Sequence, residues 1–113
     1  GKTFSGKRKL NVAKNTFPDH PQVAVDPEGR VVVVWEEQAP VKRDVVMSLS
    51  MDRGETFTAP QKVNEKKSQT PVVAVNREGL FALAWVEHGM PGYKLVVQTL
   101  MVPSAKVAAE SVR

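Results

Sequence analysis

The stretch PQVAVDPEGRVVVVWEEQ, residues 21–38, recurs further along the chain as PVVAVNREGLFALAWVEH, residues 71–88. The two copies align without a gap at an offset of 50 residues. Residues that recur include Pro21, Ala24, Val25, Glu28, Gly29, Trp35 and Glu37. A second match, at an offset of 53 residues, links Gly1, Thr3, Phe4, Lys9 and Asn11 to Gly54, Thr56, Phe57, Lys62 and Asn64. The chain therefore contains a duplication, which indicates a repeat architecture.

Each copy has the pattern of short β-strands separated by turns. Residues 30–37 contain four consecutive valines and a tryptophan, too β-branched for a helix and apolar on both faces. Such a strand is typical of a sheet that is covered on both sides. Before it, residues 22–26 predict a strand that ends in a Pro-Glu-Gly turn; after it, strands are predicted over 44–49 and 61–64. Four antiparallel strands in about 50 residues match the period of a propeller blade.

The order of these strands predicts an all-β fold with about two blades' worth of chain, over residues 1–102. Residues 1–11 match only the fourth strand of a unit, as part of a preceding or closing blade. Residues 21–64 supply a complete blade. Residues 69–102 supply the first three strands of the last blade, predicted over 69–76, 80–88 and 93–101. Residues 103–113 are polar and helix-permissive, and are interpreted as a C-terminal tail.

Composition excludes several classes of protein. The 113 residues, of which 42% are hydrophobic, suffice for one domain with a core. The absence of cysteine excludes disulfides and thiolate metal sites. Neither a membrane-spanning apolar run nor an apolar signal-peptide core is present. The opening GKTF, without an initiator methionine, is expected of a processed or excised chain.

The basic character of the chain is modest, at a net charge of +4. Its clusters are Lys7-Arg8-Lys9 and Lys62 with Lys66-Lys67. Nucleic-acid binding is not expected, because neither interleaved aromatic residues nor a groove-reading helix accompanies them. Solvated lysines that discourage sheet aggregation are the favoured interpretation. No metal site or cofactor is expected, since His20 and His88 occupy non-equivalent positions and lack partners at ligand spacing.

The segment SMDRGETF, residues 50–57, lies between two predicted strands and has the composition of a pinned turn. Ser50 and Asp52 carry short oxygen acceptors that reach nearby backbone amides. Gly54 allows a left-handed backbone conformation. Thr56 can hydrogen-bond back across the turn, and Phe57 is expected to start the next strand and pack inward.

Ser50-x-Asp52-x-Gly54-x-Thr56-Phe57 resembles the Asp box of bacterial neuraminidase repeats, S-x-D-x-G-x-T-[WF], found in sialidase-like β-propellers. Gly1-x-Thr3-Phe4 is similar to the back half of a second box. The resemblance implies a propeller in which the box is structural and lies away from the substrate site. It also implies an exported protein, periplasmic or extracellular, although the compartment is left open by the residues themselves.

The chain departs from the family pattern in two respects. In the last unit Leu100, Val102 and Ser104 replace the Ser, Asp and Gly of the box. The family's enzymes close six blades, whereas two blades cannot close a ring. The chain is therefore expected either to be part of a longer propeller or to self-associate, three copies making six blades. In the second case each N-terminal strand would complete a neighbour's open blade.

Sialidases hold their anionic sugar with three arginines and use a tyrosine nucleophile paired with a glutamate, together with an aspartate acid/base. None of these roles transfers to a position here. The available arginines are Arg30, Arg43, Arg53 and Arg77, and no F-R-I-P-like segment is present. Arg43, Asp19, His20 and Tyr93 remain as candidate ligand contacts. Tyr93 is more simply interpreted as an aromatic residue that starts a strand.

Two other pairs are open to alternative interpretations. Glu37 and Glu87 either line a channel or end a buried strand with a solvated charge, and their recurrence favours the second interpretation. Trp35 and Trp85 either stack on sugars or belong to the core between blades, and their position inside valine-rich runs favours the core.

The sequence thus predicts a module for carbohydrate binding or scaffolding, which is expected to be the C-terminal part of a larger sialidase-like protein and to lack complete catalytic machinery. The alternative is a fragment of an exo-α-sialidase-type glycoside hydrolase whose catalytic residues lie mostly upstream. Neither nucleic acid nor a membrane is expected as a partner.

Overall fold

The computed structural model describes residues 6–103, which form an all-β structure. The seven strands are β1 (Phe17–Val25), β2 (Val31–Ala39), β3 (Lys42–Ser50), β4 (Gln61–Lys62), β5 (Ser68–Val75), β6 (Leu80–Gly89) and β7 (Gly92–Met101). The first sheet is antiparallel in the order β1-β2-β3-β4, and the second is antiparallel in the order β5-β6-β7. The described range contains no helix, and so none that could cross a membrane.

The duplication of the sequence is visible as two sheets of the same strand order. At the offset of 50 residues, β1, β2 and β3 correspond to β5, β6 and β7. Even the irregularities recur, since the first strand pair of each sheet shifts register, between Asp19 and Gln22 and between Gln69 and Val72. Pro21 and Pro71 lie within these shifts on β1 and β5, which are edge strands, where a missing amide is tolerated.

The core lies between the facing surfaces of the two sheets. Successive side chains of a strand point to opposite faces, so alternate residues of β2 and β6 reach this space. Val32 and Val34 of β2 belong to the same buried cluster as Phe81, Leu83 and Trp85 of β6. Burial of apolar surface, worth about 25 cal/mol per Å², therefore holds the two sheets together.

The other face of β2 is also covered, which explains why the strand is apolar on both sides. Trp35 lies on this outer face of the first sheet and is buried. Leu10 and Asn11 of the N-terminal segment border Trp35 and Val33 there. We define the N-terminal segment as residues 6–16, which form no strand.

Glu37 lies on the same outer face and is not the solvated strand end that its recurrence favours. It is buried, and its carboxylate accepts hydrogen bonds from Trp35 Nε1 at 2.8 Å and from Thr16 Oγ1 at 2.9 Å. Glu87 is only half-buried. The indole nitrogen of Trp85 has no hydrogen-bond partner among the described residues, although Trp85 itself lies in the core. Both tryptophans are thus buried, Trp85 between the sheets and Trp35 on the outer face, but among the described residues only the Trp35 indole nitrogen has a hydrogen-bond partner.

The turn between β1 and β2 is organised by a buried carboxylate. Asp26 Oδ1 accepts hydrogen bonds from the amides of Glu28 and Arg30, each at 2.9 Å, and Oδ2 pairs with the Arg30 guanidinium. Gly29 has a φ of 84°, a conformation that a Cβ would penalise. Burial raises the pKa of Asp26, but the amide and guanidinium of Arg30, with the amide of Glu28, outweigh it and hold the pKa below its ordinary value.

The equivalent turn between β5 and β6 uses the same geometry without the charge. Asn76 Oδ1 accepts the amides of Glu78 and Leu80 at 3.0 and 2.9 Å. Position 80 is leucine where the first copy has Arg30. Because no guanidinium has to be paired in this turn, the neutral amide side chain of Asn76 is sufficient to hold it. Arg30 also donates to the carbonyl oxygen of Val102 at 3.0 Å, which joins this turn to the end of the second sheet.

The Ser50–Thr56 turn is a closed hydrogen-bond network. Asp52 Oδ1 accepts from Ser50 Oγ at 2.8 Å and from the amide of Thr56 at 2.9 Å, while Oδ2 accepts from Thr56 Oγ1. Ser50 Oγ in turn accepts the amide of Gly54 at 2.8 Å. Gly54 has a φ of 84°. The hydroxyl and amide of Thr56, followed by the Ser50 hydroxyl, lower the pKa of Asp52 to about 2.

Replacing Asp52 with alanine is expected to destabilise the protein in a pH-dependent way. The folded-state pKa of about 2 lies below the ordinary aspartate pKa of 3.8, so the carboxylate stabilises the fold above pH ~4, and this contribution is lost as pH falls towards 2. Urea unfolding of both proteins between pH 2 and 7 measures it. The difference in midpoint should be largest near neutrality and shrink in acid. A matched Glu55→Ala variant in the same turn should show no such trend, and a pH-independent difference would contradict the role.

Two expectations about strands are corrected by the structure. Residues 6–11 form no strand within the chain, and their expected place in a preceding or closing blade stays a prediction. Phe57 does not start a strand: it is half-buried, four residues before β4, and the guanidinium of Arg8 lies 5.7 Å from the centre of its ring. The fourth strand itself is Gln61–Lys62, shorter than the predicted 61–64. Gly1, Thr3, Phe4 and the tail beyond Pro103 lie outside the described residues.

Candidate functional site

A polar cluster is built around Glu36 at one end of the two sheets. Glu36 lies on the inner face of the first sheet and is only 1% exposed. A buried carboxylate needs hydrogen-bond partners, since an unpaired one would be costly to desolvate. Its neighbours come from β1, β2, β3 and β5, so only the folded sheets can assemble them. We call this group the Glu36 cluster: Asp19, His20, Glu36, Gln38, Arg43, Gln69, Thr70, His88 and Tyr93.

Four donors surround the Glu36 carboxylate. Oε2 lies 2.7 Å from His20 Nδ1 and accepts the backbone amide of Thr70 at 2.8 Å. Oε1 accepts Gln38 Nε2 at 3.0 Å and lies 3.6 Å from Nε of Arg43. The amide of Thr70 reaches across from the second sheet, so this buried carboxylate also fixes how the two sheets meet.

Arg43 extends the cluster towards the second sheet and solvent. Its guanidinium donates to Gln69 Oε1 at 2.9 Å, and His88 Nε2 lies 2.8 Å from the same oxygen. Because the atom facing the guanidinium must be an acceptor, it is the Gln69 oxygen, and His88 then donates from Nε2. The His88 ring meets the Tyr93 ring edge to face, at 4.9 Å between centroids. Tyr93 is 72% exposed and presents an open aromatic surface beside these polar groups.

The backbone at the centre of the cluster has an unusual conformation in both copies of the repeat. His20 and Thr70, at equivalent positions, have φ values of 51° and 56°. Positive φ is unfavourable for a β-branched residue such as threonine. Both residues lie within the register shifts of β1 and β5, and such bulges re-aim side chains and backbone groups. Here the distortion directs the amide of Thr70 at Glu36, and backbone strain of this kind is typical of functional sites.

The candidate ligand contacts predicted from the sequence lie in this one cluster. His20 and Arg43 contact Glu36 directly, and Asp19 accepts a hydrogen bond from Gln38 Nε2 at 3.1 Å. Tyr93 joins through His88. Asp19 and His20 lie within β1, which begins at Phe17 rather than at residue 22 as the sequence predicts. The Ser50 turn lies at the far end of β3, roughly 23 Å from Arg43 at the usual rise per residue, so it takes no part in the cluster.

Comparison with known proteins does not assign the cluster. No family model matches the chain, and no curated protein does.

Five members of the cluster are not among the candidates predicted from the sequence, namely Glu36, Gln38, Gln69, Thr70 and His88. His88 was set aside because it is not equivalent to His20, yet both histidines contact the cluster. A usable signal lies in the repeat itself. Where the two copies serve the fold, residue types recur, as Trp35 and Trp85 do. Members of the cluster occupy equivalent positions with different polar types, as Gln38 and His88 do.

The arrangement is suited to binding a polar ligand. It combines a guanidinium fork, amide groups, two imidazoles and an exposed aromatic ring, with a buried carboxylate behind them. Ligand sites typically pair a few fixed polar groups with an aromatic wall in this way. Among the described residues, no group of three His, Cys, Asp or Glu side chains has the geometry to hold a metal ion.

Proposed function

We propose that the chain is a module of a sialidase-like β-propeller with Asp-box repeats, and that its Glu36 cluster binds carbohydrate without a complete catalytic apparatus of its own. Each sheet would be one blade, the first with four strands and the second open. Three features support the propeller: the duplication, the matching strand order of the two sheets, and the Ser50–Thr56 network. Under this proposal the partner of the chain is either the remainder of a longer propeller or two further copies of the chain.

The observation that carries the binding role is the convergence of the Glu36 cluster beside an exposed aromatic ring. Sugars present hydroxyls that alternate as donors and acceptors, together with apolar C–H faces. Arg43 and Gln69 supply hydrogen-bonding groups, and the Tyr93 ring supplies the apolar surface. A sugar that bears a carboxylate would gain most, because the arginine fork matches carboxylate geometry.

The arrangement lacks the pairing that sialidase chemistry requires. Tyr93 contacts His88 rather than a glutamate, and Arg43 is the one arginine of the cluster. The alternative, a fragment of an exo-α-sialidase, is favoured by the placement of the Arg43 guanidinium beside the buried Glu36 carboxylate. Turnover of a fluorogenic sialoside by this chain would support that alternative against the binding module, and a flat trace would support the module.

Replacing Arg43 with glutamine is expected to weaken binding of N-acetylneuraminic acid about tenfold or more, because a charge-assisted hydrogen bond contributes about 1.5–3 kcal/mol. Amide chemical shifts, followed by NMR during titration of the sugar, give the dissociation constant and the residues that respond. Responses should centre on residues of the Glu36 cluster.

The matched control is Arg77→Gln, which removes an exposed arginine in the β5–β6 turn, outside the cluster. It should bind as the wild type does. The dissociation constant for galactose, which has no carboxylate, should be the same for Arg43→Gln as for the wild type. Absence of binding to both sugars, or equal losses in the two variants, would overturn the binding role.

A further inference from the structure

We propose that the outer face of the second sheet and the free edge of β7 bind a second copy of this chain head to tail. The second copy would contribute the outer face of its first sheet. Its N-terminal segment would add a fourth strand to β7, with Lys9 opposite Val96 and Arg8 opposite Val97. This extends the propeller part of the proposed function and does not depend on sugar binding.

The outer face of the second sheet is apolar, and no other part of residues 6–103 covers it. On β7, Leu95 is 74% and Val97 is 62% exposed, and both point to this face opposite Val86 and Ala84 of β6. Val72 of β5, paired with Ala84, continues the surface and is also exposed. Contiguous apolar surface of this kind on a folded protein indicates an interaction site.

The repeat indicates what kind of surface this is. Each of its positions corresponds, at the offset of 50 residues, to a position on the inner face of the first sheet. Leu95 and Val97 correspond to Val45 and Met47, which are core residues. Ala84 likewise corresponds to Val34. The inner face of the first sheet, which packs against the second sheet, therefore has an exposed equivalent in the outer face of the second sheet.

The same relation identifies the surface that fits. The inner face of the first sheet is covered by Phe81, Leu83 and Trp85 of β6. Their equivalents in the first copy are Val31, Val33 and Trp35, which lie on the outer face of the first sheet. Contact between unlike faces of similar units is heterologous, and repeating it generates a ring or a filament. The outer face of the first sheet in one chain is thus the surface that would cover the outer face of the second sheet in another chain.

The edge of β7 leads to the same partner through its backbone. In the first sheet, β3 pairs with β4 through Val46 opposite Lys62 and Met47 opposite Gln61. Among residues 6–103, no strand occupies the corresponding edge of β7. Val96 and Val97 correspond to the β3 pair at the 50-residue offset, and Lys9 and Arg8 correspond to the β4 pair at the 53-residue offset. The intermolecular register follows directly from these two offsets.

Two further hydrogen bonds accompany the β3–β4 pair, and the N-terminal segment contains the equivalent groups for both. The amide of Val63 donates to the Val45 carbonyl at 3.0 Å, and the amide of Val45 donates to Asn64 Oδ1 at 2.9 Å. Asn11 corresponds to Asn64, and Leu95 to Val45. Asn11 of the second copy would therefore accept the amide of Leu95.

The N-terminal segment already lies where such a complex needs it. Leu10 borders Val33 and Trp35, and its equivalent Val63 packs against the core cluster that contains Leu83 and Trp85. A cleft of about 260 Å³ remains between this part of the segment and the first sheet, so the contact is loosely packed. The segment can pair with β7 of another chain while the outer face beside it docks.

Light scattering coupled to size exclusion tests the assembly. The expected mass is that of three chains, which would close a ring of six sheets. Val97→Asp, on the docking face, should reduce the mass to that of one chain. Val41→Asp, the same change at an exposed position of the β2–β3 hairpin, should leave it unchanged. A monomeric wild type, or an unchanged mass for Val97→Asp, would overturn the proposal.

Cysteine pairs test the register, since the chain has no cysteine of its own. Opposed Cα atoms of antiparallel strands lie about 4.5–5.5 Å apart, within reach of a disulfide. Lys9→Cys with Val96→Cys should form disulfides between chains under mild oxidation. Val46→Cys with Lys62→Cys should close within one chain and serves as the positive control, and Lys9→Cys with Thr99→Cys should not cross-link.

Equal cross-linking of the Val96 and Thr99 pairs would overturn the register, as would cross-linking of neither pair. The sugar titration separates the two proposals. A monomer that still binds N-acetylneuraminic acid through Arg43 would contradict the assembly and leave the binding role in place. A trimer with the expected cross-link and without sugar binding would support the assembly and contradict the binding role.

Discussion

Replacing Phe81 with alanine is expected to lower the free energy of unfolding by about 3–5 kcal/mol, the usual cost of removing a buried phenylalanine. Phe81 is fully buried between the sheets, in one cluster with Val32, Val34 and Val45 of the first sheet. Truncation would lose the apolar contact of the ring and leave a cavity that the rigid sheets cannot close. Because domains of this size are stable by about 5–15 kcal/mol, much of the total stability would be lost.

Urea unfolding followed by tryptophan fluorescence and by circular dichroism measures this effect. Both probes should shift together, because the two sheets share one core and should unfold as one unit. The matched control is Leu80→Ala, the neighbouring residue, whose side chain is partly exposed on the other face. It should cost about 0.5 kcal/mol, as surface substitutions usually do. Similar losses for the two variants would contradict the assignment of the core.

Replacing Asp26 with alanine is expected to cost about 3–5 kcal/mol, because it breaks a buried ion pair by removing one partner. The Asp26 side chain is buried and that of Arg30 is 11% exposed, so the largely desolvated guanidinium would lose its buried carboxylate. It would keep only the exposed Glu28 carboxylate, 2.9 Å away, and the Val102 carbonyl as partners. Two amide hydrogen bonds of the turn would be lost as well. Asn at this position should retain part of the stability, since an amide oxygen can accept both backbone bonds.

The repeat offers a matched control for this prediction. Asn76→Ala removes the equivalent side-chain acceptor of two backbone amides from the β5–β6 turn but leaves no charged group without its partner, so it should cost only about 1–2 kcal/mol. The Asp26 contribution should also depend on pH. Its folded pKa is lowered, so the stabilisation is present above the ordinary aspartate pKa and is lost as pH falls through the folded value. Urea midpoints from pH 2 to 7 measure this, and equal losses in the two turns would contradict the ion-pair role.

The parts of the fold that the sequence predicted well depend on local interactions. The valine-rich strand, the strand that follows it and the turn at Ser50 follow from residue types within a few positions of one another. In the Ser50 turn each bond joins residues at most four apart, so a sequence motif is enough to specify it. Residues 6–11 form no strand within the chain, because a strand needs an edge to pair with and none lies beside this segment among residues 6–103.

The Glu36 cluster could be predicted only in part. Arg43, Asp19, His20 and Tyr93 are polar or aromatic residues near predicted strand ends, which made them candidates. Glu36 looks, in sequence, like the end of a buried strand, next to the recurring Glu37. Whether it faces His20 and Thr70 depends on which face of β2 meets the second sheet.

Residue order alone was sufficient for the duplication, the strand-rich composition of each copy and the closed turn at Ser50, because these rest on short-range hydrogen bonds and side-chain periodicity. The pairing of faces required the folded protein. A valine-rich strand that is apolar on both sides does not specify which side meets the next sheet, and burial of Phe81 and Glu36 resolved it. The same packing left Leu95 and Val97 exposed, since no third sheet lies beside them within residues 6–103.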